Sequence, residues 1–282
     1  MFNFNNFKKA AVIASLGLAL TACGDKDNKE TASNDGLVEV KLGVVGEHNN
    51  EWKATAERLE KEGIKLTLVK FADYTLPNRA LNDGEIDIYS FQHVAYFKSD
   101  CEEHGYDLAN VGNTYIAVMG AYSDKIKSMD ELKDGDTIAI PNDPTNGGRA
   151  LKLVERAGVI KLDPAKGYIP TVRDITENPK NIKFYEVDAG NTPSLIPDVA
   201  VSVINSNYAI DNNLDPLNDA IFSDVTGEID ENNPYINIVV AKSSNKDNEN
   251  IKKVMKAYQV KETAEILLKE YKGSQIAAFK FE

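Results

Sequence analysis

The stretch Val38–Phe71 reads VEVKLGVVGEHNNEWKATAERLEKEGIKLTLVKF, and its pattern decides the class of fold. Residues Val38–Val45 are rich in β-branched side chains and alternate before becoming apolar, which predicts a core strand. Residues Glu51–Glu62 place apolar side chains at helical spacing, and Gly63 is a good helix stop. Residues Ile64–Phe71 predict a second strand. A strand, a helix and a strand in succession indicate an α/β fold.

The same alternation continues through the rest of the chain. Two such blocks, with a late β segment returning to the first, indicate two lobes, each with a mixed and mostly parallel sheet. We expect residues 37–118 and 234–282 to form lobe 1 and residues 119–233 to form lobe 2. The further predicted strands are Ile86–Ser90, Val111–Tyr122 (which crosses between the lobes), Thr137–Ile140, Ile182–Val187, Val199–Ile204 and Tyr235–Ala241. The further predicted helices are Asn78–Asn82, Gly147–Ala157, Val172–Asn178, one beginning near Tyr208, and Lys246–Tyr271.

The amino terminus has the layout of a secretory signal. Lys8 and Lys9 precede an apolar run over Ala10–Leu20, which ends in Leu-Thr-Ala-Cys at position 23. A cleavage zone that ends in cysteine resembles a bacterial lipobox, in which Cys23 receives lipid and becomes the first residue. The alternative is an ordinary signal peptide that contains a cysteine. We therefore predict a signal peptide over residues 1–22, because the run is shorter than the roughly 20 residues of a membrane span.

The residues after Cys23 are polar, and the chain is acidic. Residues 24–36 read GDKDNKETASNDG, which cannot bury apolar surface, so we predict a flexible linker over residues 23–36 with the lipidated cysteine at its start. Removing Lys8 and Lys9 from the 32 basic residues leaves 30 against 44 acidic residues, a net charge of −14. This charge argues against nucleic acid as a partner and against binding to anionic lipid. Attachment to the membrane is therefore expected through the lipid alone.

Arg149 is the first candidate binding residue. It ends the stretch Asn142–Arg149, NDPTNGGR, between a predicted strand and a predicted helix. Asp, Thr and Asn suit a helix N-cap, and free N–H groups at a helix start attract anions. We expect Arg149 in the first turn of the helix, where it can hold a carboxylate with two parallel hydrogen bonds. The alternative is a surface arginine paired with an acid.

Aromatic and amide side chains supply further candidates. Aromatic side chains around Phe91 and His93, together with Tyr74, follow predicted strands and could wall an apolar pocket, although core packing explains them equally well. Asn205 follows an apolar strand and Asn237 lies among β-branched residues. Amide oxygens can hold an ammonium group, whereas the alternatives are a turn for Asn205 and a solvent-facing position for Asn237.

The sequence contains little that suggests catalysis or metal binding. The three histidines are His48, His93 and His104, and no GxSxG, HExxH or CxxC motif is present. Cys101 and His104 flank two glutamates, a pattern that fits a solvated helical face better than a metal site. If Cys23 is lipidated, Cys101 is the remaining thiol and no intramolecular disulfide forms. We expect no enzyme activity, no metal and no cofactor.

Several segments in order resemble the bacterial methionine-binding lipoproteins, which are substrate-binding proteins of ABC importers. The resemblance covers essentially the whole chain, and the segments together are specific. They are Asp73-Tyr74 through Ala80-Leu81, Phe91-Gln92-His93, Pro141–Arg149, Asn178–Asn181, Val203–Asn205 with Tyr208-Ala209, and Pro234–Asn237.

The resemblance implies a periplasmic-binding-protein-like fold of two α/β lobes that close on an amino acid. By the same resemblance, the ligand is L- or D-methionine or a close analogue, delivered to an ABC importer permease from the extracytoplasmic face of a membrane. The alternatives are another amino acid, a methionine-containing dipeptide, or a metal-binding, adhesion or enzymatic lipoprotein. The resemblance also implies a role for each candidate residue. Arg149 would hold the α-carboxylate of the ligand, and Asn205 and Asn237 would hold its backbone polar groups, above all the ammonium. The side-chain pocket would be formed by Tyr74, Phe91 and His93, with lesser contacts from Tyr115 and Tyr208.

Overall fold

The computed structural model describes residues 36–224 and 232–281 of the 282-residue chain. The predicted signal peptide over residues 1–22, the lipidated Cys23 and the linker up to residue 35 lie outside the described residues. Within the described ranges, no helix is long and apolar enough to cross a membrane.

Thirteen strands and seven α-helices alternate along the described parts of the chain. The strands are β1 (Val38–Val45), β2 (Ile64–Phe71), β3 (Ile88–His93), β4 (Leu108–Ala117), β5 (Met119–Tyr122), β6 (Thr137–Pro141), β7 (Lys161–Leu162), β8 (Ile175–Glu177), β9 (Lys183–Val187), β10 (Val201–Asn205), β11 (Phe222–Ser223), β12 (Ile236–Lys242) and β13 (Gln275–Ala277). The helices are α1 (Asn50–Glu60), α2 (Pro77–Asp83), α3 (Val94–His104), α4 (Pro144–Arg156), α5 (Ser206–Asp211), α6 (Glu249–Tyr258) and α7 (Lys261–Glu270).

Two mixed sheets organise the fold. The first has the order β13-β4-β12-β3-β1-β2 and the second the order β11-β5-β10-β6-β9, while β7 and β8 form a separate antiparallel pair. The predicted α/β class with two mixed sheets is confirmed. The expectation that parallel pairing dominates is wrong, because parallel pairs are two of five in the first sheet and two of four in the second. The late strand β12 enters between β3 and β4 and runs antiparallel to both.

The opening strand–helix–strand unit forms as the sequence predicts. The strands β1 and β2 have the predicted bounds and pair in parallel along their whole length. Between them, α1 buries its apolar face, and the ring of Trp52 stacks on that of Tyr258 in α6 with centroids 4.1 Å apart. Gly63 follows α1 with φ +82°, a conformation that glycine adopts without a steric cost.

Two predicted helices differ in the structure. Residues 172–174 form one 3₁₀ turn, and the chain then extends into β8, which pairs with β7, so the helix predicted over Val172–Asn178 is wrong. The helix predicted over Lys246–Tyr271 is two helices, because the chain leaves the helical conformation at Gln259 and Val260. The Gln259 side chain donates instead to the carbonyl of Asn113 on β4, at 2.9 Å.

Each sheet has its own apolar core. One core includes Leu42, Ile88 and Val240 and extends to residues of α5, and the other includes Ile138 and Val203. Full burial of a side chain of this size contributes roughly 1.5–3 kcal/mol relative to exposure. We propose residues 37–118 with 234–282 as lobe 1 and residues 119–233 as lobe 2.

Candidate ligand-binding site

A cleft lined by side chains of both halves of the fold lies between the two sheets. Seven of the eight side chains that the sequence predicts for the site line this cleft, which we call the ligand cavity. They are Tyr74, Phe91, His93, Tyr115, Arg149, Asn205 and Asn237.

A bulge in β3 turns three consecutive residues toward the ligand cavity. Neighbouring residues of a regular strand point to opposite faces of the sheet. In β3, Gln92 pairs with Ile238 and Ser90 with Val239, so Phe91 is the extra residue of the bulge. Its φ of +110° is unusual for a residue other than glycine, a strain on the order of 1–3 kcal/mol. The bulge explains why Phe91, Gln92 and His93 all line the cavity.

His93 contributes a neutral imidazole with a fixed tautomer. It is the N-cap of α3, where Nδ1 accepts a hydrogen bond from the N–H of Tyr96 at 3.0 Å. We therefore assign the ring proton to Nε2, which lies 3.3 Å from Asn146 Oδ1 and donates to it. Burial, and secondarily the charge of Arg149, lowers the pKa of His93 to about 3. The imidazole is therefore uncharged at neutral pH.

A chain of amides orients Asn205. The Asn146 Nδ2 donates to the carboxylate of Asp143, which leaves Asn146 Oδ1 as an acceptor. The Asn205 Nδ2 donates to that oxygen at 2.8 Å. The remaining atom, Asn205 Oδ1, is buried at the cavity with no hydrogen-bond partner among the described residues. A buried acceptor of this kind suits a ligand that brings a donor.

Arg149 lies in the second turn of α4, so its expected place in the first turn is wrong. Asp143 is the N-cap and Pro144 the first helical residue, a position at which proline is well tolerated.

The first turns of α4 pack closely against the chain at Tyr168. A Cβ at Gly148 would lie 2.8 Å from the carbonyl oxygen of Tyr168, so a larger residue there would push the helix away.

The guanidinium of Arg149 is buried and paired. Its Nε donates to Asp224 Oδ2 at 2.6 Å and Nη2 donates to the carbonyl of Ala117 at 2.6 Å. The ring of Tyr235 lies under it, with 4.5 Å between the guanidinium carbon and the ring centroid. The alternative to ligand binding was a surface arginine paired with an acid. Arg149 does pair with an acid, Asp224, but it is 5% exposed, so the pair lies inside the protein.

Tyr208 is not among the residues that line the ligand cavity, and its contact with the ligand stays a prediction. Its ring packs on that of Tyr74 with centroids 5.1 Å apart, and so supports the cavity wall from outside. The preceding residue of α5, Asn207, lines the cavity instead. Asn207 Oδ1 accepts a hydrogen bond from the Tyr74 hydroxyl at 2.5 Å, and its buried Nδ2 has no partner within the described chain.

Asn237 and Gln275 reach the ligand cavity from the sheet of lobe 1. Asn237 is opposite His93 in the β3–β12 ladder and is 7% exposed, so the solvent-facing alternative does not apply. Gln275 begins β13, and neither atom of its buried amide has a hydrogen-bond partner among the residues described. Sequence reasoning missed Gln275, since a lone glutamine near the chain end carries no local signal.

The cysteine-histidine segment lies on α3. His104 Nδ1 lies 3.3 Å from Asp100 Oδ1 on the preceding turn. Burial raises the pKa of Cys101 to about 11, which disfavours a reactive thiolate. In residues 36–224 and 232–281, no three His, Cys, Asp or Glu side chains group closely enough to hold a metal ion.

Two mixed sheets with a polar cleft between them are an arrangement found in proteins that bind a small molecule. Residues 40–279 match the family described as NlpA lipoprotein, and the chain belongs to that family. The resemblance to methionine-binding lipoproteins is thereby confirmed.

Three relatives show how close the similarity is. The D-methionine-binding lipoprotein MetQ of Escherichia coli (strain K12) is 41% identical over 280 residues, which cover 98% of each chain. Outer membrane lipoprotein 3 of Mannheimia haemolytica is 41% identical over 271 residues, covering 95% of this chain and 97% of that one. A nutrient binding protein from Burkholderia cenocepacia, solved bound to methionine, is 41% identical with a TM-score of 0.80, covering 85% of this chain and 100% of that chain.

Proposed function

We propose that this protein is a receptor that captures methionine, or a close analogue, in the ligand cavity and delivers it to an ABC importer permease. In this proposal it acts without catalysis. Cys23 carries a lipid that holds it at the extracytoplasmic face of a membrane. Such a tether raises the effective concentration of the receptor near its permease.

The observation that carries the proposal is that the cavity contains both the cationic side chain of Arg149 and the unpaired acceptor oxygen of Asn205. Arg149 offers terminal guanidinium nitrogens to a carboxylate, and a buried ion pair of this kind orients its partner. Asn205 Oδ1 offers an acceptor to an ammonium group, with Asn237 also lining the cavity. A cationic donor and a neutral acceptor in one cavity match the two charged groups of an α-amino acid.

Aromatic side chains favour an apolar, sulfur-containing side chain. Tyr74, Phe91, Tyr96 and Tyr115 all line the cavity. A thioether contact with an aromatic ring contributes about 0.3–1.5 kcal/mol each. The names of the relatives support this choice, since the lipoprotein of E. coli is called methionine-binding and the B. cenocepacia structure contains methionine.

Calorimetry on the full-length lipoprotein in detergent tests the proposal. We expect binding of methionine and little binding of aspartate or lysine, whose second charge has no partner in the cavity. Arg149→Ala leaves both the ligand carboxylate and Asp224 unpaired, a loss on the order of 3–5 kcal/mol. Arg79→Ala is the matched control, because Arg79 is exposed and pairs with Asp83 on α2. Near wild-type affinity in Arg149→Ala would contradict the assignment.

A methionine-containing dipeptide is the second candidate. Asn207 Nδ2 and both amide atoms of Gln275 line the cavity without partners among the described residues. A peptide bond brings one donor and one acceptor, which these amides could satisfy. Titration with glycyl-methionine separates the candidates, since tighter binding than methionine favours the dipeptide.

A further inference from the structure

Asp224 lies behind the guanidinium of Arg149, outside the lining of the ligand cavity. Its Oδ2 accepts the hydrogen bond from Arg149 Nε, and its Oδ1 accepts one from the N–H of Met119 at 2.7 Å. The Asp224 N–H in turn donates to the carbonyl of Met119 at 3.0 Å. The carboxylate is therefore held on β5 in a fixed orientation. The side chains of Arg149 and Asp224 are 6% and 14% exposed, so solvent screens the pair only weakly.

This ion pair brings one positive and one negative charge to the ligand cavity. Among the described residues that line it, Arg149 is the one side chain that is charged at neutral pH, since His93 is neutral. Asp143 binds the start of α4 and the Asn146 amide, whereas Asp224 pairs directly with Arg149. Asp224 thus compensates the charge that Arg149 presents. Charges in a buried site are stable only when they are compensated.

We propose that Asp224 is a specificity-determining residue, which makes the cavity electrically neutral and so selects zwitterions over anions of the same shape. This inference rests on the proposed function. A zwitterionic amino acid places its carboxylate at Arg149 and its ammonium at Asn205, and it adds no net charge. The α-hydroxy analogue of methionine has the same length but carries a hydroxyl in place of the ammonium. It would add one uncompensated negative charge to the cavity.

Replacing Asp224 with asparagine tests this inference. Asp224→Asn keeps the shape and one oxygen acceptor but leaves Arg149 uncompensated. The excess positive charge attracts either carboxylate, but it repels only the ammonium of methionine. In calorimetry on the full-length lipoprotein in detergent at low salt, we expect the preference for methionine over its α-hydroxy analogue to narrow at least about tenfold. Glu177→Gln is the control, since it removes one acid from an exposed pair with Lys161 and should leave the preference unchanged.

The outcomes separate the inference from the function on which it rests. If Asp224→Asn changes both affinities by the same factor, Asp224 has only a structural role and the inference is overturned, while methionine binding stands. If the wild-type protein binds neither compound, the proposed function fails and the inference fails with it.

A measurement on the wild-type protein keeps the inference testable if Asp224→Asn does not fold. Methioninamide is a cation and the α-hydroxy analogue an anion, and a neutral cavity should bind each at least about tenfold more weakly than methionine. An α-hydroxy analogue that binds as tightly as methionine overturns the inference.

Discussion

His93 on β3 and Asn146 on α4 are joined by a hydrogen bond of 3.3 Å between Nε2 and Oδ1. This contact joins β3 of the first sheet to the helix that follows β6 of the second sheet, and both side chains line the ligand cavity. The same Asn146 oxygen also accepts a hydrogen bond from Asn205 Nδ2. One atom therefore links His93 to the amide whose own oxygen is the unpaired acceptor of the cavity. The orientation of Asn205 therefore depends on side chains from both sides of the cleft.

Asn146→Ala tests this dependence. The substitution removes the acceptor for Asn205 Nδ2, so the amide can rotate and its oxygen is no longer held toward the cavity. We expect methionine affinity to fall by about 10- to 100-fold, since a lost buried hydrogen bond costs about 1–3 kcal/mol. Calorimetry measures the change. Asn142→Ala is the control, because Asn142 is exposed just before the N-cap of α4. Equal effects of the two substitutions would contradict the role of the amide chain.

Methionine binding should not depend on pH between 5 and 8. His93 has a pKa of about 3 in the folded protein, lowered mainly by burial, so it stays neutral through that range. Methionine itself also keeps its zwitterionic form there. Titrations at several pH values check this expectation. An inflection near pH 6 to 7 that disappears in His93→Gln would show that the imidazole titrates in the folded protein.

Glu51 should make the protein less stable as the pH rises. It is fully buried at the start of α1, Oε1 lacks a partner within the described residues, and burial raises its pKa from 4.5 to about 8. Between these values the folded state holds a proton that the unfolded state has lost. The free energy of unfolding should therefore fall from pH 4.5 to 8, by on the order of 1 kcal/mol per pH unit.

Glu51→Gln should remove this slope and stabilise the protein above neutral pH, because the amide resembles the protonated acid. Denaturant unfolding at pH 5, 7 and 8 measures it. Glu57→Gln, on the exposed face of the same helix, should leave the slope as in the wild type. A parallel response of the two variants would mean that Glu51 is ionised in the folded state.

Tyr74→Phe should weaken ligand binding more than it weakens folding. Its hydroxyl donates to Asn207 Oδ1, which fixes the amide whose Nδ2 lines the cavity. Removing the hydroxyl keeps the ring contact with Tyr208. We expect a three- to tenfold loss of methionine affinity, about 1 kcal/mol, with a melting temperature within a few degrees of the wild type. Unchanged affinity would show that Asn207 does not depend on Tyr74.

The sequence predicts those parts of the fold whose signals are local. The strands β1 and β2 and the helix between them follow from the periodicity of Val38–Phe71 and from Gly63. The prediction over Val172–Asn178 failed because pairing with β7, a contact distant in sequence, holds the chain extended. The helix break at Gln259 was not predicted either, and the Gln259 side chain there makes a hydrogen bond to β4 that is likewise distant in sequence.

In the candidate site, too, residues with a local sequence signal are predictable and residues that depend on distant contacts are not. Arg149, Asn205 and Asn237 are recognisable from their local segments, but Asp224 is 75 residues from the arginine that it compensates. No spacing rule joins two such positions, and an acid in an acidic chain carries no signal of its own. Asn207 lines the cavity beside the predicted Tyr208, because neighbouring residues on α5 face directions about 100° apart and the sequence does not fix which of them points inward.

Anomalous diffraction from a crystal of the protein grown with free selenomethionine shows directly where and in which orientation the ligand binds. We expect a single selenium peak in the ligand cavity beside the aromatic side chains of Tyr74, Phe91 and Tyr96, with the carboxylate on Arg149 and the ammonium on Asn205. A selenium peak outside this cavity, or a ligand in it whose carboxylate lies away from Arg149, would overturn the proposed binding site.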